Sequence, residues 1–328
     1  MTTSVRRRGV SGELDRSRVA SARKAARRIG TRTIELSNAD KVLFPDDGIT
    51  KGDVIEYYES VCAWILPHLK DRPLVLQRYP NGIAAAGFYQ KQAGAHFPEW
   101  MRTVRVRKEG GNQDLVVCDD RATLVFLANQ AALTLHPWLS RTQRIRCPDI
   151  LVIDLDPPSG KFEQACSAAR QCKEIFDELE APVFLKTTGS EGLHLVVPLA
   201  GKEDFDIVRA FAKKMVDLLA ARCPEHLTVE QRKSRRGGRL YLDVARNAYA
   251  QTAVCPYTIR ALPGAPVATP IAWEELRRKN LRSRSWTIAN VLRYAEQNDP
   301  WADLRRRRCS ALAMLERLPG RLTLKCLP

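Results

Sequence analysis

Apolar residues along the chain change period repeatedly after Pro148. Ile150 to Leu155 is an apolar run of strand length, interrupted by Asp154 and followed by Asp156, Pro157 and Pro158, whereas Phe162 to Leu179 repeats its apolar residues at helical spacing. Val183 to Thr187 and Leu193 to Pro198 read as strands, Phe205 to Ala221 as a helix, and Leu227 to Glu230 and Arg239 to Val244 as short strands. That succession spells βαββαβ, the order of ferredoxin-like and RRM-like sheets, in which helices cover one face of an antiparallel sheet and the other face is free to hold a site. The fold class expected is therefore α+β.

Upstream, residues 33–145 form a mixed α/β pattern. It predicts a strand from Thr33 to Leu36, a turn at Pro45 to Gly48 and a helix from Thr50 to Leu69. Thr50 is the candidate N-cap, with Asp53 three residues on. Leu74 to Tyr79, Arg102 to Arg107 and Asp114 to Cys118 read as strands, and Ala122 to Leu135 as one apolar helix. Helices are also expected at Trp273 to Leu281 and Thr287 to Gln297. The domain division expected is a body over 33–304, made of a mixed part (33–145), a catalytic part (146–270) and terminal helices (271–304). It is flanked by a basic tail over 1–32, expected to be disordered, and a second basic tail over 305–328.

Charge narrows the partners. The 328 residues carry 53 Lys and Arg against 37 Asp and Glu, a formal +16, the balance of a protein that meets phosphate backbones or an anionic surface. With 45% hydrophobic residues the chain has material for a full core, so disorder throughout is excluded. No run approaches the length of a membrane span and no secretory leader is present, so a cytoplasmic location is expected. The nine cysteines are scattered, with neither C-x-x-C nor zinc spacing, and ordinary reduced thiols are expected.

The candidate chemistry begins at "ILVIDLDPP". Asp154 and Asp156 are two apart on a strand, so both leave the same face while Leu155 enters the core. Neighbouring carboxylates repel, and the usual compensation is a divalent cation held by hard oxygens. Asp243, near the end of the last strand, is the candidate third acid, and three such acids suit a two-metal centre. An isolated D-x-D before Pro more often merely caps a strand and binds backbone amides at a turn. A D-x-D-x-T phosphatase pattern is disfavoured by Pro158 at the Thr position.

"KTTGSEGLH", Lys186 to His194, falls between the two middle strands. Its Gly189 and Gly192 would allow backbone N–H groups to approach an anion, with Ser190 as hydroxyl donor. Arg246 and Arg260 follow the third acid and offer guanidinium donors to a polyphosphate. The run Arg232 to Arg239 reads as a basic loop for nucleic acid or for water.

These stretches, with "NADKVLFPDDGITK", "LTLHPWLSR", "YLDVARNAYAQTAVCPYTIRALPGAPVATPIAWEEL" and "WTIANVLRYAEQNDPWADL", occur in family order over roughly residues 33–304. The chain resembles the polymerase domain of bacterial ligase D, the primase-polymerase of non-homologous end joining, in the archaeo-eukaryotic primase superfamily.

The resemblance implies that Asp154, Asp156 and Asp243 bind two divalent ions, manganese or magnesium, and direct a primer 3′-hydroxyl at a nucleotide α-phosphate. It implies nucleotide contacts at Ser190, His194, Arg246, Arg260 and His136. Lys41 and Lys51 would grip the 5′-phosphate of a gap or end, and Phe88 and Tyr89 would stack on template bases. The implied partners are 5′-phosphorylated DNA, NTP or dNTP, Ku and a separate ATP-dependent ligase, with a monomeric chain near the nucleoid. No Lys-x-Asp-Gly ligase motif is present, and a stand-alone polymerase, without ligase or phosphoesterase domains, is expected.

Two departures stand out. Glu191 occupies a position where the family commonly has Lys, leaving Lys186 as the neighbouring cation to substitute, and Val244-Ala245 replaces the usual aromatic-Leu. The rival readings are a catalytically weak DNA-end-binding module that recruits Ku and a ligase, and a phosphohydrolase with an aspartyl nucleophile.

Overall fold

Alternation of apolar and polar residues builds small sheets in the first half of the chain. The computed structural model describes residues 26–320 except 109 and 298. A hairpin of β1 (Ala26–Ile29) and β2 (Arg32–Glu35) is followed by β3 (Val42–Phe44) and β4 (Ile49–Thr50). Thr50 then caps α1 (Lys51–Ser60) in a full capping box with Asp53. The long helix expected to Leu69 is broken at Val61, where ψ turns to 2°, and resumes as α2 (Cys62–Leu69).

Next come β5 (Leu74–Arg78), β6 (Phe88–Gln90), the ribbon of β7 (Thr103–Lys108) and β8 (Gly111–Val116), α3 (Arg121–Asn129) and β9 (Ala132–Pro137). The single helix expected over Ala122 to Leu135 is thus a helix followed by a strand. Ala131 takes a left-handed φ of 55° and reverses the chain. Leu133 and Leu135 then enter the core while Thr134 and His136 face the other way, with β9 pairing β5 in the sheet order β6-β5-β9.

The second half follows the expected order: β10 (Ile150–Asp156), α4 (Phe162–Glu178), β11 (Phe184–Thr187), β12 (Leu193–Pro198), α5 (Phe205–Arg222), β13 (Leu227–Thr228) and β14 (Leu240–Asp243). A final short strand, β15 (Pro270–Ile271), extends the sheet to six strands in the order β13-β14-β10-β12-β11-β15. The central four, β14-β10-β12-β11, pair antiparallel in the ferredoxin-like order. This is the α+β sheet order expected from the sequence.

Leu151, Ile153 and Leu155 leave the same face of β10 and are fully buried in one apolar cluster with Ala169, Phe176 and Phe211 of α4 and α5. Each such side chain contributes about 2 kcal/mol of burial. On the opposite face Val152, Phe184 and Val196 pack against Leu139, Trp301 and Leu304, so the site face is apolar at one end and polar at the other.

The helix expected at Trp273 to Leu281 is only the 3-10 turn Trp273–Arg277, stopped where Arg278 becomes extended (ψ 119°). The expected Thr287 to Gln297 helix begins later, as α6 (Val291–Gln297). Neither basic tail has the expected bounds. Residues 26–32 already belong to the first hairpin, and 1–25 lie outside the described residues. Beyond residue 305, Cys309 bridges Leu199 and α7 (Ala311–Arg317) packs on α5, because Ala311, Met314 and Leu318 are apolar and buried. Among the described residues Cys62, Cys118, Cys147, Cys166, Cys172, Cys255 and Cys309 are free thiols, whereas Cys223, against expectation, is disulfide-bonded. No helix among the described residues is long and apolar enough to cross a membrane.

Candidate active site

Strand register brings the acids together. Asp154 of β10 lies directly opposite Asp243 of β14 on one side and His194 of β12 on the other, and His194 in turn lies opposite Lys186 of β11. One row across four strands therefore reads Asp243, Asp154, His194, Lys186, with Asp156 one pleat further along the same face. The acids expected to converge share this face. Among the described residues, no group of three potential ligands is drawn close enough to cage an ion.

Each carboxylate has a protein partner instead. Asp154 Oδ2 is 3.3 Å from His194 Nε2, Asp243 Oδ1 accepts the Ala245 N–H at 2.8 Å, and Asp156 Oδ2 accepts Arg236 Nη1 at 2.8 Å. Burial pushes the Asp154 carboxyl up, but His194, Arg246 and Lys186 together bring it below the usual carboxylate range. Burial, reinforced by Lys186, pushes His194 down despite Asp154 beside it. The chemistry fits hard divalent cations: carboxylate oxygens on adjacent strands, and an arginine standing where a cation would neutralise Asp156.

Arg236 was expected only as one charge in a basic loop. It lies over the Tyr241 ring at 4.1 Å and reaches Asp156 from there. The signal available in the sequence was Tyr241 two residues before Asp243, hence on the acids' face.

Asp154 and Asp156 line a cleft of about 230 Å³ together with Ser190, His194, Arg246 and Arg260. His136 and Tyr89 close its far side, their rings edge to face at 5.7 Å. Burial and the nearby Arg260 and Arg246 push His136 down to about 3, so it is neutral at pH 7. His136 Nε2 and His194 Nδ1 are buried with no hydrogen-bond partner among the described residues, which is the state of polar atoms that await a ligand.

The Thr188 to Gly192 turn is built by packing. Gly189 has φ 66°, and a Cβ there would meet Val267 carbonyl carbon at 2.9 Å, while a Cβ on Gly192 would meet Leu155 O at 2.1 Å. The N–H groups of Ser190 and Gly192 point at Thr188 Oγ1 (3.3 and 3.1 Å), so these two are not offered to an anion as expected. Donors at this edge are the Ser190 hydroxyl and Arg260, whose Nη1 donates to Thr188 O at 2.6 Å. Arg260 is fixed from below, since Ile259 N–H donates to Tyr58 Oη (3.1 Å) and Thr134 Oγ1 donates to Ile259 O (2.7 Å).

Lys186 cannot stand in for a cation at Glu191. It is 1% exposed and donates to Val254 O at 3.0 Å, inside the sheet row, where burial and Arg260 lower it to about 7. Glu191 turns away from the cleft and accepts from Ser159 Oγ at 3.2 Å.

The other candidates form separate clusters. Lys51 N–H donates to Lys41 O at 2.8 Å, joining the two lysines at the start of α1. Lys51 is 5% exposed, with Nζ on Ser37 Oγ (3.0 Å) and Asn129 O (3.2 Å), and Lys41 Nζ holds Asn81 Oδ1 (3.0 Å). Burial and the adjacent Lys41 both lower the Lys51 ammonium. Phe88 and Tyr89, 46% and 58% exposed, are consecutive on β6 and so face opposite ways: Tyr89 borders the cleft and Phe88 lies over Arg78 at 5.5 Å.

Residues 50–301 match the family model described as LigD, primase-polymerase domain. The chain belongs to this family. The LigD relatives include the multifunctional non-homologous end joining protein of Mycolicibacterium smegmatis, 32% identical over 252 residues, covering 76% of this chain and 33% of the relative. The bifunctional LigD of Bacillus subtilis is 32% identical over 277 residues, 83% of this chain and 44% of the relative. The chain thus spans a third to under half of these LigD proteins. The polymerase domain of Mycobacterium tuberculosis Ligase D, solved in complex with DNA, superposes with a TM-score of 0.79 at 30% identity, covering 84% of this chain and 99% of that one. LigD primase-polymerase membership makes the chain one of a nucleotidyltransferase family of DNA end joining.

Proposed function

We propose that the chain adds nucleotides to primer 3′-ends at DNA gaps and breaks, with or without template, in non-homologous end joining. The observation that carries this reading is the pairing of Asp154 with Asp243 on adjacent strands, with Asp156 on the same face, beside a cleft that Asp154 and Asp156 line together with Ser190, Arg246 and Arg260. Asp154, Asp156 and Asp243 are the oxygen donors that would hold two divalent ions, manganese or magnesium, whose chemistry is to activate the attacking hydroxyl and neutralise the departing pyrophosphate.

The remaining work belongs to the chain's own side chains. Arg260 and Arg246 hold the triphosphate by permanent charge, and Ser190 donates a hydroxyl hydrogen bond. His136, neutral at pH 7, offers a ring nitrogen to the nucleotide without adding charge, and His194 keeps Asp154 in place. Lys41 and Lys51 take a 5′-phosphate at the N-terminal end of α1, where the helix dipole adds to two ammoniums. Tyr89 and Phe88 give exposed ring faces on which template bases stack. Ku and a separate ATP-dependent ligase are the proposed partners of this activity, with the chain working as a monomer at the nucleoid.

A second reading, a DNA-end-binding module with little catalysis, draws on the Arg236–Asp156 ion pair, which occupies one of the acids. A labelled gapped duplex with a 5′-phosphate, incubated with NTPs and manganese, separates the two. Extension by wild type that is lost in Asp156→Ala supports transfer. Phosphate-dependent binding without extension supports the module.

A further inference from the structure

The segment Arg282 to Ser285 is docked on the outer side of the Thr188 to Gly192 turn. Ser283 Oγ donates to Gly192 O at 2.9 Å and lies 3.2 Å from Thr188 Oγ1, and Arg284 Nε donates to Ser190 O at 2.9 Å. Between segment and turn lies an open recess that shares Ser190 with the acid-lined cleft, so Ser190 is the wall between the two.

Charges around this recess are unevenly committed. Glu191 is directed at Ser159, and Arg282 is directed at Glu163 (3.5 Å) and at the carbonyls of Lys279 and Leu281. Arg284 is exposed, and among the described residues its two terminal nitrogens have no hydrogen-bond or carboxylate partner. On the cleft side of the same wall, Arg260 Nη1 lies 3.5 Å from Ser190 Oγ. Arg260 is lowered by burial first and, in smaller part, by Arg284, which places the two guanidiniums within electrostatic reach of each other. Two cations held on either side of one serine make a forked site for an anion with several oxygens, while Glu191, which also lines the recess, has its carboxylate held by Ser159.

We infer that Arg284 and Ser190 form an outer anion subsite that takes the terminal phosphate of a nucleoside triphosphate, while Arg260 serves the phosphates nearer the acids. This rests on the nucleotidyl-transfer reading above and assigns Arg284 the discrimination of triphosphates from diphosphates.

The test measures single-nucleotide extension of the gapped duplex with ATP and manganese, with ADP and an α,β-non-cleavable ATP analogue, which cannot lose pyrophosphate, as competing inhibitors. Wild type should bind the triphosphate analogue more tightly than ADP. Arg284→Ala should raise KM for ATP about tenfold with kcat nearly unchanged, and should collapse the triphosphate-to-diphosphate ratio; Arg284→Lys should restore most of both. An equal loss of affinity for both analogues would mean that Arg284 only braces the turn, and an unchanged KM and ratio would remove it from the site altogether. Either overturns the assignment while wild-type extension leaves the polymerase reading intact. Absence of extension and of ATP binding in wild type would overturn both.

Discussion

Asn247 pairs with Val152 as if it were another strand residue. Its Nδ2 donates to Val152 O at 2.6 Å and its Oδ1 accepts Val152 N–H at 2.9 Å, in a buried position where β14 has already ended. The segment after Asp243 is thereby fastened to β10 two residues from Asp154, and the alignment of the two acids depends on it.

Asn247→Ala strands two buried backbone groups of Val152 and removes their bonds, so a loss of about 2–4 kcal/mol is expected. Urea unfolding of the variant reads this directly. A change within about 0.5 kcal/mol would show that the amide is not what joins the strands.

Arg236 and Asp156 form a partly exposed ion pair, for which a coupling of about 0.5–1 kcal/mol is expected. A double-mutant cycle of Arg236→Ala and Asp156→Ala measures it in the unfolding free energy. With manganese saturating, the coupling should shrink toward zero, because Asp156 cannot serve both cations. An undiminished coupling would argue that the ion does not bind there.

Lys41 and Lys51 should give the protein a preference for 5′-phosphorylated over 5′-hydroxyl gaps of about tenfold or more, the range of one charge-assisted hydrogen bond. Fluorescence anisotropy should find that preference abolished in Lys41→Gln/Lys51→Gln. If the double variant still prefers the phosphate, the recognition site lies elsewhere.

Buried His68 is pushed down to about 3 by burial and by Arg305, Arg72, Arg141 and Lys186 around it. Its unfolded value is about 6.5, so the unfolded chain binds the extra proton first. Stability is therefore full above pH 6.5 and falls as the pH drops below it, by up to about 1.4 kcal/mol per unit, or about 2 kcal/mol at pH 5. His68→Gln should flatten this limb in urea unfolding at pH 7, 6 and 5. Parallel slopes for wild type and variant would mean that the buried imidazole is not the source.

The sequence showed the acids more readily than their setting. Asp154 and Asp156 were legible because side chains alternate on a strand, and Asp243 because a βαββαβ order sets the last strand beside the first. Arg236 and Asn247 were not, since both act from irregular segments whose path no period describes. Ala131 hid the start of β9: an alanine in the left-handed region gives no warning, and the apolar run on either side reads as one helix. Lys186 carried the opposite error, because charge suggested a solvent-facing phosphate contact where the sheet buries it opposite His194. Glycines at 189 and 192 were noticed for anion binding, yet their necessity comes from Val267 and Leu155 packed against them.

Nucleotide transfer is the proposed work of the Asp154, Asp156 and Asp243 face. Its most direct measurement is the stoichiometry of pyrophosphate release during primer extension on a 5′-phosphorylated gapped duplex with NTP and manganese. One pyrophosphate per nucleotide added is predicted for wild type, with both signals lost in Asp243→Asn while DNA affinity stays within about twofold. Extension by Asp243→Asn at the wild-type rate, or NTP hydrolysis to phosphate without extension in wild type, would contradict it.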